Sequence, residues 1–156
     1  MTAKSDAIAE LDASQKKFRG KLDALPEAAY GEPWLGEWDL TQLLAHMSGW
    51  FGEMTGGIER VGRGERPTPE GVDYTNADSW NAKFVQNARA GKASLTDWDA
   101  AYARYRAAAQ ALGEDKFGVD PEKGRPLIGN RLLQGAGIGH FAEHQEQLDA
   151  WLATRK

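Results

Sequence analysis

The chain contains three histidines, and two of them, His140 and His144, stand four residues apart in Gly139-His140-Phe141-Ala142-Glu143-His144. On a helix that spacing puts both imidazoles on one face, with Cβ atoms roughly 6 Å apart, close enough to grip one ion. The third, His46, lies far upstream in Leu40-Thr41-Gln42-Leu43-Leu44-Ala45-His46-Met47. It completes a three-nitrogen site only where the two helices pack together. Neutral imidazoles suit zinc, nickel, iron or copper, and three protein ligands leave a position open for water or substrate. A lone histidine on an apolar face is more often a hydrogen-bonded core residue. The case for a ligand set here is that all three lie on or beside core stripes and two have the helical ligand spacing. With no cysteine in the chain, a metal must use His, Asp, Glu or water, and thiol nucleophiles and disulfides are excluded.

Glu53 falls two helical turns from His46 on the stripe His46, Trp50, Glu53. From there a carboxylate could orient a water or accept its proton; a solvated glutamate is the plainer reading. Trp50 would then be a pocket wall. The aromatic set Trp50, Trp80, Trp98, Tyr102 and Tyr105 suits either a flat ligand or core packing, with packing expected for most of them. The stretch from His140 to His144 also spells the H-x-x-E-H pattern of a class of zinc peptidases, with Glu143 as the base. Those enzymes take a further acidic ligand from well downstream, where this sequence offers little chain. Glu143 is therefore expected to face solvent or to support a ligand. No glycine-rich phosphate loop or G-x-S-x-G motif is present.

The elements that must position these residues read as helices. From Ser5 to Leu25, Ile8, Leu11, Phe18, Leu22 and Leu25 follow 3-4 spacing, and Pro26 ends the run. The segment Glu27 to Glu37 is a loop, with Trp34 plugging the end of the core. The second helix opens on Asp39 as N-cap with Gln42 three residues on, and Trp38 is placed to staple onto Leu43. Its core stripe is Leu40, Leu43, Leu44, Met47, Phe51, Met54, Ile58 and Val61. A glycine- and proline-rich break follows, long enough for a crossover, before a short helix over Trp80 to Ala90. Ser94, with Asp97, is expected to cap a helix bearing Trp98, Tyr102, Tyr105, Ala109 and Leu112. The last helix starts around Ile128 to Arg131 and carries both His140 and His144. Gly135, Gly137 and Gly139 in its first half each cost about 1 kcal/mol relative to alanine, which suggests close backbone approach, an open cavity or a frayed start. No strand pattern or repeat is found. The expectation is an all-α, four-helix bundle with a long crossover between the second and third main helices, forming one domain over 1–156.

Net charge is −4 with scattered Lys and Arg, so a nucleic-acid partner is not expected. The absence of a signal-like N-terminus and of any run of roughly 20 apolar residues leads us to expect a cytoplasmic protein with no membrane partner.

The run Glu37-Trp38-Asp39-Leu40-Thr41-Gln42-Leu43-Leu44-Ala45-His46 followed by Trp50, and His140 to His144 followed by Gln147-Leu148 and Trp151, resembles the DinB-like superfamily. That resemblance implies a bundle whose second and last helices supply a histidine triad. It thus implies a divalent metal at His46, His140 and His144, zinc or nickel foremost and iron next. The Trp38-to-Trp50 segment and Asp78-Ser79-Trp80-Asn81-Ala82 are similar to the ClbS/DfsB branch, which includes colibactin self-protection proteins that hydrolyse a reactive cyclopropane. Trp50, Trp80 and Asn81 are accordingly the substrate-binding candidates. The branch is not defined by a histidine triad, whereas this chain keeps one. Other DinB-like members resemble transferases and isomerases that use a low-molecular-weight thiol with a metal. The resemblance implies a metal-dependent hydrolase or thiol-dependent transferase acting on a small electrophilic molecule, in detoxification or stress protection. The alternative is a non-catalytic small-molecule binding or sequestering protein. A homodimer is a further implication.

Overall fold

The apolar periodicities become helices in the order read from the sequence: α1 (Ala3–Gly20), α2 (Leu40–Gly62), α3 (Ala77–Val85), α4 (Ala93–Ala111), α5 (Ile128–Leu133) and α6 (Gly139–Thr154). This computed structural model describes residues 2–155, and among them no strand forms, only two isolated bridges. The helices α1, α2 and α4 and the rod made by α5 with α6 are the four members of a bundle. Residues 63–92 cross over between its second and third members and carry α3 on the way. The architecture is the expected one.

The start of α2 is fixed as anticipated. Asp39 Oδ1 accepts the Gln42 N–H at 3.0 Å, while Gln42 Oε1 accepts the Asp39 N–H at 3.0 Å, so two backbone donors are satisfied reciprocally. Around Phe51, the rings of Trp98, Tyr102, Tyr105 and Phe141 stand with centroids 5.1 to 6.1 Å away. Trp98, Tyr102 and Tyr105 are therefore core residues of α4 rather than pocket walls. Truncating a buried ring of this kind costs roughly 3–5 kcal/mol. Trp34 does close one end of the core, stacking on Trp151 at 4.6 Å.

Three boundaries differ from expectation. Helix α1 ends at Gly20, and Leu22 and Leu25 are buried from the turn that follows it. Helix α4 starts one residue before Ser94, whose hydroxyl donates to the Gly91 carbonyl at 2.7 Å; Asp97, the imagined capping partner, is held instead by the Arg89 guanidinium. The start of α4 is served from outside the helix, by the Glu27 carboxylate, which accepts the Lys92 N–H at 3.2 and 3.3 Å. Helix α3 begins at Ala77 and ends at Val85, earlier at both ends than its apolar pattern indicated.

Two glycines set the inter-helix spacing that matters for the histidines. A Cβ at Gly49 would lie 2.1 Å from Phe84 Cγ, so only glycine lets α3 rest on α2. A Cβ at Gly137 would lie 2.5 Å from Leu11 Cδ1 and 3.1 Å from the Tyr105 hydroxyl, so the last rod approaches α1 and α4 closely there. Gly137 belongs to a π-turn, Gln134–Ile138, between α5 and α6, in which the Gly139 N–H reaches back five residues to the Gln134 carbonyl. One extra residue in a turn rotates everything after it by roughly 100°. This insertion therefore sets the face on which His140 and His144 emerge.

Candidate metal centre

His46 leaves α2 and His140 and His144 leave α6 to meet at one point. Their Nε2 atoms are 2.9 Å (His46 to His140), 3.2 Å (His46 to His144) and 2.8 Å (His140 to His144) apart. His46 and His144 are buried and His140 is partly so.

The outer nitrogens decide what the inner ones present. The Trp50 indole N–H can only donate, and it points at Asn81 Oδ1 from 2.7 Å, which identifies that atom as the oxygen. His46 Nδ1 is 2.8 Å from the same oxygen and must carry the proton it donates there. His144 Nδ1 likewise donates to Gln147 Oε1 at 2.7 Å. His140 Nδ1 is buried without a partner in hydrogen-bond geometry, and the Ala136 carbonyl one turn back is the acceptor that favours a proton on it. With all three Nδ1 atoms protonated, three Nε2 lone pairs converge on one point, an arrangement that a positive charge there would stabilise. Nitrogen spacings of this size are those of three ligands on one ion at about 2.0–2.1 Å. The donor set fits a divalent metal, and its amide partners play the orienting part that supporting residues play around metal-binding imidazoles.

Burial pushes His46 down to about 4, helped by the neighbouring His144 and opposed by the Asn81 hydrogen bond. Burial likewise pushes His140 down to about 3, with His144 and His46 adding to it. His144 is lowered by burial too, against Gln147 and Glu143, which raise it. All three are neutral at pH 7, the state in which imidazole binds metal.

The triad forms the floor of a cleft of about 520 Å³, walled by Leu35, Trp38, Trp50, Ala77, Asn81 and Gln147, with Glu37 and Glu143 also on its lining. Of the substrate-binding candidates, Trp50 and Asn81 are on the wall. Trp80 is not; its N–H donates to the Asp73 carbonyl and its ring lies 6.3 Å from Trp50, which it supports from behind. Glu53 is also off the lining, its carboxylate accepting the Tyr74 hydroxyl at 2.8 Å. That contact and burial push the Tyr74 phenol up to about 12, burial being the larger cause. Glu143 is exposed at the cleft and close enough to act on His144 electrostatically.

Trp38, read as a staple for Leu43, has its ring 5.2 Å from that of His46 and so closes the cleft from the other side. Gln147 was detectable as the residue three after His144 on the same helix face. Nothing in the sequence marked Ala77 or Leu35.

No protein-family model matches the chain, and no curated protein matches its sequence. Solved structures do match its shape. A Streptococcus pneumoniae protein superposes with a TM-score of 0.76 at 13% identity, over 96% of this chain and 90% of that one. The mycothiol-dependent maleylpyruvate isomerase gives 0.71 at 17% identity over 95% of this chain, which spans 63% of that protein. The colibactin self-resistance protein ClbS, crystallised with double-stranded DNA, gives 0.70 at 16% identity over 96% and 95% of the two chains. These likenesses, at such identities, concern the backbone, and on that ground the chain has the DinB-like helical fold.

Proposed function

We propose that this protein binds one divalent metal through His46, His140 and His144 and uses it to direct a nucleophile, water or a low-molecular-weight thiol, at a small electrophilic molecule held in the cleft. The observation that carries the reading is the convergence of three neutral Nε2 lone pairs, two of them locked in that tautomer by Asn81 and Gln147. When bound, such an ion supplies the Lewis acidity that makes a nucleophile available at neutral pH. Asn81 holds two wall groups at once, His46 and Trp50, so the ligand and the flat wall keep a fixed relation. Trp38 and Trp50 exclude water from the reacting face. Glu53 acts as a positioning residue: it holds Tyr74, whose ring packs edge-on to Trp50 at 5.6 Å. The relation of the fold to a mycothiol-dependent isomerase supports trying a thiol as co-substrate.

The test is turnover of a panel of epoxides, activated cyclopropanes and unsaturated carbonyl compounds by metal-loaded protein, with and without thiols. His140→Ala should abolish turnover while circular dichroism keeps its helical spectrum; unchanged turnover refutes the assignment. A second reading is that the cleft, walled by Trp38, Trp50 and Asn81, holds its ligand and leaves it unaltered. Recovery of intact ligand from a one-to-one complex would favour it. The net charge of −4 weighs against a nucleic-acid partner, and a mobility shift with duplex DNA at physiological salt would reverse that view.

A further inference from the structure

The two carboxamides on the cleft lining meet the histidines with their oxygens only. Asn81 Oδ1 accepts twice, from His46 Nδ1 at 2.8 Å and from the Trp50 indole at 2.7 Å, and Gln147 Oε1 accepts from His144 Nδ1 at 2.7 Å. A carboxamide also carries two donor hydrogens on its nitrogen. Among the described residues no protein acceptor stands in hydrogen-bond geometry with Asn81 Nδ2 or Gln147 Nε2, and neither nitrogen is sealed from solvent. Both residues line the cleft and both are partly buried.

The orientation of each amide is fixed. Turning either one over would set its NH2 group against a ring nitrogen that is itself a donor, and at Asn81 against the Trp50 N–H as well. The nitrogens are therefore left for whatever enters the cleft. An amide whose oxygen accepts hydrogen bonds is polarised by them and becomes a better donor through its nitrogen. Asn81, with two such bonds, is the stronger donor of the pair. The carboxylate acceptors on the same lining, Glu37 and Glu143, are exposed to solvent.

A ligand entering the cleft displaces the solvent that satisfies these donors. One that offers an oxygen lone pair in return keeps the hydrogen bonds. One without an acceptor leaves partly buried N–H groups unpaired, and sites built this way reject it for that reason.

We propose that Asn81 Nδ2 and Gln147 Nε2 are ligand-binding donors, and that the cleft selects a molecule bearing a carbonyl oxygen. The proposal deepens the function proposed above by naming a feature of its substrate, and rests on it for the reaction; recognition of the oxygen stands on the amides alone.

The experiment compares acetophenone with ethylbenzene, neutral probes of similar size that differ by the carbonyl oxygen, on zinc-loaded protein. Binding is followed by the side-chain NH2 signals of Asn81 and Gln147 in proton–nitrogen NMR. Acetophenone should bind tighter and move both signals downfield, while ethylbenzene leaves them in place. Asn81→Asp and Gln147→Glu keep the oxygen that accepts from the histidine and remove only the NH2 group. Each variant should retain zinc and lower the acetophenone-to-ethylbenzene affinity ratio by about 3- to 10-fold, the worth of one hydrogen bond. Both probes are neutral, so the added carboxylate finds no net charge to act on. An unchanged ratio in both variants, unmoved NH2 signals with acetophenone, or failure of acetophenone to bind overturns the proposal. Loss of zinc from both variants, where wild type retains it, overturns the amide orientation on which it stands. The same change in ratio is expected after zinc is removed with a chelator. A protein that shows it but turns over none of the electrophiles above loses the proposed chemistry alone, and turnover with an unchanged ratio loses the carbonyl selection alone.

Discussion

Glycine-to-alanine substitutions at two positions on one helix should have opposite signs. At Gly52 a Cβ meets nothing within 4 Å and the site is exposed, so Gly52→Ala collects only the helix-propensity gain of about 1 kcal/mol. At Gly49 the same methyl would sit 2.1 to 2.6 Å from three atoms of the Phe84 ring. Phe84 is buried, so its ring cannot swing into solvent without exposing apolar surface, and relief requires α3 to move off α2. Overpacking of this kind costs about 1–3 kcal/mol. Moving α3 also draws Asn81 Oδ1 away from His46 and Trp50, each such hydrogen bond being worth about 0.5–1.5 kcal/mol. After the propensity gain is subtracted, Gly49→Ala should be about 1–5 kcal/mol less stable than wild type. The two variants should then differ by several degrees or more in melting temperature, since about 1 kcal/mol moves a domain of this size by 2–4 °C. Urea denaturation gives the free energies, and metal titration gives the second consequence. Gly49→Ala should weaken metal binding by about 10-fold or more through the loosened His46, as losses of supporting partners do, while Gly52→Ala leaves it unchanged. Equal stability of the two variants, or a destabilised Gly49→Ala with unaltered metal affinity, would refute the account of how α3 supports the site.

Further expectations follow from the same geometry. Asn81→Ala and Gln147→Leu should each weaken metal binding by about 10- to 100-fold in calorimetric titration while leaving the helical spectrum intact; wild-type affinity in both would remove their orienting role. Gly137→Ala should cost about 1–3 kcal/mol in urea denaturation, because its methyl would collide with Leu11 and Tyr105, and a neutral or stabilising result would show that the rod can retreat. The depressed histidines give a pH dependence with a definite sign. Between the unfolded value of 6.5 and the folded values of about 4 for His46 and about 3 for His140, the unfolded chain binds more protons than the folded one. This contribution to the stability of metal-free protein is therefore full above pH 6.5 and is lost as pH falls toward 3 to 4. Denaturation midpoints at pH 7.5 and 5 should fall together with metal affinity, and the fall should be smaller in His46→Phe; an equal fall in that variant would contradict it.

How much could be read beforehand depended on whether the information was local. The Asp39–Gln42 box and the apolar stripe of α2 are satisfied within one helix, and both were legible. The triad was legible because three histidines carry a chemical type that apolar periodicity does not explain, and their helices are brought together by the bundle. The π-turn was not: of close approach, a cavity or a frayed start, the close approach is found at Gly137, against Leu11 and Tyr105, but the glycines do not mark the inserted residue. Glu53 illustrates the same limit. Its register with His46 is right for a shared face, yet Tyr74, arriving from the crossover, takes its carboxylate, and no pattern within α2 announces a partner from outside it. Trp38 precedes the cap of α2 as a staple would, but its ring also stands against His46 and lines the cleft, which nothing near it in sequence announces.

The central claim, a metal held by three converging imidazoles, is tested most directly by metal stoichiometry. Protein purified without a histidine tag, loaded with zinc or nickel and freed of excess ion, should carry one ion per chain by elemental analysis. His46→Ala, His140→Ala and His144→Ala should each lose it while remaining folded. An ion-free wild type with no gain in melting temperature on adding either metal, or variants that keep full occupancy, would contradict the account.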